Sequence, residues 1–438
     1  MFNWFKKSTD NSRHQSVDGT VSNSNVNFGD NVTQINYNGV PLEQLIELAK
    51  KLGVAENERD AWMQKYQDLE KFVAGRSDEI AKQARVFLDE GKLEDAEKLF
   101  KQSLASKLTI VKEAAAEAFA LAQIKELQLN QAEAKTYYQQ AVQLAPDNAY
   151  HWNKLGHLLR RVGDLDEAIA AYSKVLALGE THQNQQAIAM AYGNLGNVYQ
   201  IRGDLDKAIE FYQKSLAITE SLGMKETSAN QYGNLGIVYR TRGDLDKAIE
   251  FYQKALTIDE SMGNKQGMAE DYGNLGNVYQ MRGDLDKAIE FHQKALTIDE
   301  SMGNKQGMAE DYGNLGVVYK TRGDLDKAIE FYQKALTIDA SMGNKQGMAK
   351  DYGNLGNVYK TRGDLDKAIE FHQKALTIDE SMGNKQGMAE DYGNLGLVYK
   401  QKGNKAEAKR YWQQSLELYQ YIGSPIAKKV QGWLDELH

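Results

Sequence analysis

Six asparagines recur at one fixed interval: Asn194, Asn234, Asn274, Asn314, Asn354 and Asn394, each 40 residues after the last. A carboxamide donates and accepts at once, so a column of them can hold the main chain of an extended peptide whatever its side chains. Beside them runs a cationic series, Arg240, Lys320, Lys360 and Lys400, and an acidic one, Glu270, Glu310 and Glu390, which Lys350 interrupts. Compensation of helix dipoles accounts for both signs as well as binding does. Nothing in the chain reads as catalytic. No nucleophile, base and oxyanion donors form a set, and carboxylates such as Asp284 and Asp286 recur too regularly to be one active site.

The absence of cysteine excludes disulfides, thiolate catalysis and thiolate metal sites, and fits a reducing compartment. The 7 histidines form no H-E-x-x-H, so neither metal nor cofactor is expected. His292 and His372 stand where sister units have Tyr212, Tyr252 and Tyr332, which marks a packed, half-polar position, with a pH-sensitive contact as the alternative. Arg-Gly-Asp starts at Arg202, Arg242, Arg282, Arg322 and Arg362. Here Arg complements a helix C-terminus, Gly turns and Asp caps the next helix, so no adhesion function is needed. Gly273-Asn274-Leu275-Gly276 lacks the preceding strand of a phosphate loop and sits inside an amphipathic helix.

The elements that must position the asparagines follow from the same period. Tyr-Gly-Asn-Leu-Gly recurs at Tyr192, Tyr232, Tyr272, Tyr312, Tyr352 and Tyr392, the mark of a solenoid whose units bury their apolar faces only against neighbours. Within Asn264–Gly303, Met268, Tyr272, Leu275, Gly276 and Tyr279 share one helical face. Gly283 ends that helix, Asp284 caps a second, and Leu285, Ala288, Ile289, His292, Ala295 and Leu296 give the second stripe. Asp299 falls where strict periodicity calls for an apolar residue.

With Gly276 as the eighth position, the unit has Tyr272, Leu275, Tyr279, Ala288, His292 and Ala295 at positions 4, 7, 11, 20, 24 and 27. This resembles the tetratricopeptide repeat (TPR), in the long form found in kinesin light chains and animal G-protein signalling adaptors. The resemblance implies an all-α, right-handed superhelical solenoid that binds protein or extended peptide in a concave groove. It places the sixth position in that groove, and with it the six asparagines. Positions 9, 12 and 13 face it too, and three of the five differences between units 269–308 and 309–348 fall there: Asn277/Val317, Gln280/Lys320 and Met281/Thr321. The animal adaptors carry G-protein-binding motifs after their repeats, and the present chain matches none of these.

Looser copies begin near Ala149, Ala115 and Ser77, so about nine repeats are expected over residues 77–423. Residues 424–438 read as a capping helix, with Ile426, Val430, Trp433, Leu434 and Leu437 on one face. Residues 1–40 form an Asn/Ser-rich leader, either disordered or a short hairpin with Val26 and Phe28 facing Ile35 and Tyr37. Residues 41–76 read as helical, with Trp62, Tyr66, Leu69 and Val73 on one stripe. The stretch near 42–60 superficially resembles a DNA reader's helix-turn-helix. Yet Leu42 to Glu70 carries Lys50, Lys51, Arg59 and Lys65 against seven acids, the wrong sign for phosphate.

The formal charge of −8, from 53 basic and 61 acidic residues, likewise argues against a general polyanion binder. No apolar run is long enough to span a bilayer, and Met1–Lys7 is not a secretory signal. The expectation is a cytoplasmic, non-enzymatic adaptor or scaffold without a small-molecule substrate, with self-association through the leader as an added property. The alternative is a transcription regulator that reads DNA near 42–60 and senses through the array.

Overall fold

The computed structural model describes residues 25–27, 34–36, 56–75, 79–106 and 111–437. The chain divides into two compact units, Met1–Met262 and Gly263–His438. In the first, strands β1 (Asn25–Asn27) and β2 (Gln34–Asn36) pair antiparallel with Val26 opposite Ile35. Phe28, Tyr37 and most of the helix-turn-helix-like stretch lie outside the described residues. The helices of this unit are α1 (Glu56–Ala74), α2 (Glu79–Asp89), α3 (Leu93–Ser106), α4 (Val111–Leu127), α5 (Gln131–Leu144), α6 (Ala149–Val162), α7 (Leu165–Thr181), α8 (Gln185–Arg202), α9 (Leu205–Ser221), α10 (Lys225–Arg242) and α11 (Leu245–Met262). The second unit holds α12 (Lys265–Arg282), α13 (Leu285–Met302), α14 (Lys305–Arg322), α15 (Leu325–Met342), α16 (Lys345–Arg362), α17 (Leu365–Met382), α18 (Lys385–Gln401), α19 (Lys405–Tyr421) and α20 (Ile426–Asp435).

From α2 to α19 the helices pair as antiparallel hairpins, and each unit is a stack of them, an all-α solenoid. Below, the first helix of a pair is the A helix and the second the B helix. The turns form for local reasons. Gly323 ends α14 at φ 88°, a left-handed conformation that side chains disfavour, and its N–H bonds the Lys320 carbonyl. Asp324 then accepts the Lys327 N–H at 3.3 Å and caps α15. Arg of the Arg-Gly-Asp motif does more than face a helix dipole. Arg322 Nη1 stands 2.9 Å from Asp286 of the preceding hairpin, and Arg362 stands 2.8 Å from Asp326, so the tripeptide is both a turn and a link between repeats. Such exposed pairs contribute under about 1 kcal/mol each.

Inside a hairpin, the eighth-position glycine admits the B-helix ring. A Cβ on Gly316 would stand 2.7 Å from the Tyr332 ring, and one on Gly356 as close to His372. Position 11 stacks outward instead: Tyr319 and Phe331 lie 5.2 Å apart and 6° from parallel, with Lys327 over the tyrosine at 4.9 Å. On α20, Val430 and Leu434 are buried against α19, and Trp433 meets Trp412 at 5.6 Å.

Candidate functional site

The A helices of the second unit present two contrasting sides. On α14, Leu315, Gly316, Val318 and Tyr319 are buried, whereas Asn314, Val317 and Lys320, three residues apart, are half-buried and line the other side. Asn274, Asn354 and Asn394 occupy the same place on α12, α16 and α18, as do Asn194 and Asn234 on α8 and α10 of the first unit. Asn194 donates to Asn153 Oδ1 at 2.8 Å. Asn234, Asn274, Asn314, Asn354 and Asn394 are half-buried and have no side-chain partner among the described residues.

The cations divide in the same way. Lys320 and Lys360 are half-buried with no counter-ion among the described residues. Burial pushes both amines below their ordinary value, and the Lys320 charge adds to the effect at Lys360. Arg240 is also half-buried. Lys400 differs: it is exposed and pairs with Glu436 of α20 at 3.0 Å. Glu310 and Glu390 accept from Gln306 and Gln386 one turn away.

In the first unit this side is covered. Helix α1 lies against α2 and α4, with Leu69 and Val73 fully enclosed beside Ala84, Leu88, Ala120 and Ile124. Lys65 reaches Glu126 at 3.2 Å, and Asp68 comes within 3.8 Å of Lys154 on α6. As a result α4 is buried nearly all round, on the face that α14 leaves half-open. Burial pushes the Glu126 carboxyl up, but Lys65, Arg161 and the Tyr138 hydroxyl together hold it below the usual carboxylate range. The side chains of Trp62 and Tyr66 lie outside the described residues.

Asp299, the off-pattern residue of the sequence, is explained by its neighbour. Burial and the charges of Asp299 and Glu310 push Asp311 up to about 8, and Asp299, raised by burial, shares a hydrogen bond with it. The Asn304 amide donates to Asp299 at 2.9 Å. Asp339 and Asp351 repeat this pair, with Asp351 at about 8 although Lys350 works against the shift. Asp391, also at about 8, faces Asp379, with His372 Nδ1 3.7 Å from its carboxyl. Carboxyls that share a proton are acid–base apparatus in other settings, but Asp299 and Asp311 are each only 5% exposed, which closes them to a substrate. His292 and His372 are fully buried and pushed down, to about 4 and about 3, by burial, and at His372 also by the charges of Lys360 and Lys320. They are neutral packing groups, as their exchange with tyrosine indicates.

Among the described residues no helix is long and apolar enough to cross a membrane. Models of the tetratricopeptide repeat match residues 146–221, 187–261, 268–341 and 348–420, and a second such model matches 81–149. Among solved structures, the Signal Transduction ATPase with Numerous Domains from Pyrococcus horikoshii, which has a tetratricopeptide repeat sensor, is 18% identical, with a TM-score of 0.57 over 90% of this chain and 66% of that one. Aspartyl phosphate phosphatase F from Bacillus subtilis is 14% identical, with a TM-score of 0.50 over 80% of this chain and 94% of that one. BtubC from P. vanneervenii is 24% identical, with a TM-score of 0.46 over 50% of this chain and 92% of that one. At these identities the likeness is one of fold. No curated protein matches the sequence.

Proposed function

The chain belongs to the tetratricopeptide repeat family, and from that premise we propose that it is a non-enzymatic cytoplasmic adaptor that holds an extended segment of a protein partner along its A-helix face. The observation that carries this reading is the set of open amides. Asn274, Asn314, Asn354 and Asn394 stand half-exposed without side-chain partners among the described residues, so each has a donor and an acceptor to offer a passing main chain. Arg240, Lys320 and Lys360 on the same face favour a segment that brings acidic side chains, while Lys400 is already committed to Glu436. The leader over residues 1–40 is assigned a separate role in self-association, residues 41–76 that of an entry segment to the repeats of 77–423, and residues 424–438 that of the closing cap.

Replacing Asn274, Asn314 and Asn354 together by alanine tests the reading. Partner affinity, measured by calorimetry with a partner recovered on the intact array, should fall roughly tenfold or more, because each lost hydrogen bond costs on the order of 0.5 to 1.5 kcal/mol. Folding should hold, since alanine is the better helix former. A sharp drop in melting temperature with unchanged affinity would show the asparagines to be packing devices.

A further inference from the structure

A recess of about 410 Å³ opens between α1, α4 and α6, at the small end of the range for ligand sites, suited to one large side chain. Its walls are aromatic: Phe119 stacks on His151 at 4.5 Å and 14°, and meets Tyr150 at 5.3 Å, while Phe72 closes the side formed by α1. Gln123 and Ala116 line it too, with Asp68 and Lys71 completing the lining. The recess is particular to this place in the array. Phe119 holds the fifth repeat position, which is Gly193, Gly233, Gly273 and Gly313 in later repeats, and α1 supplies a wall that the later hairpins lack.

One polar group in these walls is uncommitted. His151 is 7% exposed, and its Nδ1 has no hydrogen-bond partner. Burial pushes the imidazole below its ordinary value, and the Ala141 carbonyl takes the ring's one hydrogen, so Nδ1 is left as a bare acceptor. Asp68 is not comparably free, because Lys154 lies 3.8 Å away and also sits over the Tyr150 ring at 5.4 Å. A cationic guest would therefore meet Lys71 and Lys154, whereas a neutral ring with an N–H or O–H satisfies what the walls offer.

We propose that this recess receives an aromatic side chain bearing a hydrogen-bond donor, a tryptophan or a tyrosine, from the protein partner that lies along the A-helix face. The assignment rests on the peptide-binding reading above and gives it an anchor point. The ring faces supply edge and offset contacts, and the buried Nδ1 supplies selection for the donor, because a guest without one leaves that acceptor unpaired.

The test uses the full chain with ¹⁵N-labelled histidine and three probes: N-acetyltryptophanamide, its 1-methylindole analogue and N-acetylphenylalaninamide. N-acetyltryptophanamide should shift the His151 Nδ1 resonance saturably, with a dissociation constant on the order of 1 mM, as befits so small a ligand. The two probes without a donor should bind at least about 5-fold more weakly. Ala116→Phe, which fills the recess from a half-exposed helix position, should abolish the response at an unchanged melting temperature, and Tyr150→Ala at an exposed wall should weaken it if the filled variant folds poorly. No saturable change at His151, equal binding of the methylated probe, or full binding by both variants would each overturn the assignment. Because the probes need no partner, the outcome is separable from the asparagine test. Loss of the groove reading with N-acetyltryptophanamide still bound would leave the recess as a site in its own right.

Discussion

Raising the pH through neutrality should loosen the unit Gly263–His438 from within. Asp311, Asp351 and Asp391 titrate near 8 in the folded chain against an ordinary 3.8, so between these values the folded form keeps protons that the unfolded form has lost. Stability then falls as pH rises, by about 1.4 kcal/mol per pH unit for each carboxyl, and the loss is complete above 8. His292 and His372 run the other way. With folded values of about 4 and about 3 against an ordinary 6.5, they add stability as pH rises, but only up to 6.5. Two histidines nearly offset three carboxyls on the acid side. Above 6.5 the carboxyls act alone, and three of them over one and a half units remove up to about 6 kcal/mol. The profile is therefore shallow in acid and steep from 6.5 to 8. Urea denaturation followed by far-ultraviolet circular dichroism reads this out, with hydrogen exchange of peptides from α14, α16 and α18 as the local measure. Replacing Asp311, Asp351 and Asp391 together by asparagine keeps a hydrogen-bonding amide without an ionisable proton. The variant should be flat above 6.5 and more stable than the parent at pH 8. An unchanged slope, or lower stability at pH 8, would refute the reasoning.

Gly316→Ala should cost about 1 to 3 kcal/mol, since the new methyl meets the Tyr332 ring at 2.7 Å. Gly313→Ala on the same helix, with open space at that position, should instead stabilise by about 0.5 to 1 kcal/mol, and the two melting curves together check the geometry. Glu126→Ala leaves Lys65 in a confined site without its partner and should release α1, at a cost of about 3 to 5 kcal/mol, seen as faster hydrogen exchange over residues 56–74. Val430→Asp places a charge at a fully buried position and should detach α20 from α19, giving self-association in sedimentation; a monomer of unchanged stability would remove the cap assignment. A mobility shift with genomic DNA at physiological salt should show no specific complex, and one that depends on residues 42–60 would favour the regulator alternative.

The solenoid was legible in the sequence because its contacts are local. A helix, a glycine turn, an aspartate cap and the next helix all fall within 40 residues, and repetition prints the same apolar spacing several times over, so period and phase can be read without knowing what touches what. The alternation of inward Leu315 and Val318 with outward Asn314 and Lys320 follows from helical geometry alone. Other features depend on which helices meet. Asp299 breaks the apolar pattern, and only the neighbouring hairpin, bringing Asp311 and the Asn304 amide to it, turns a misplaced charge into a proton-sharing pair. Lys400 has the spacing of Lys320 and Lys360, yet Glu436 of α20 occupies it. The placement of α1 over α4 joins Lys65 to Glu126 across 61 residues, and the recess at His151 exists because of it. Such contacts occur once in the chain and carry no period. A single amphipathic helix reveals that it has an apolar face, but the surface that covers that face is decided by the packing energy of the folded array.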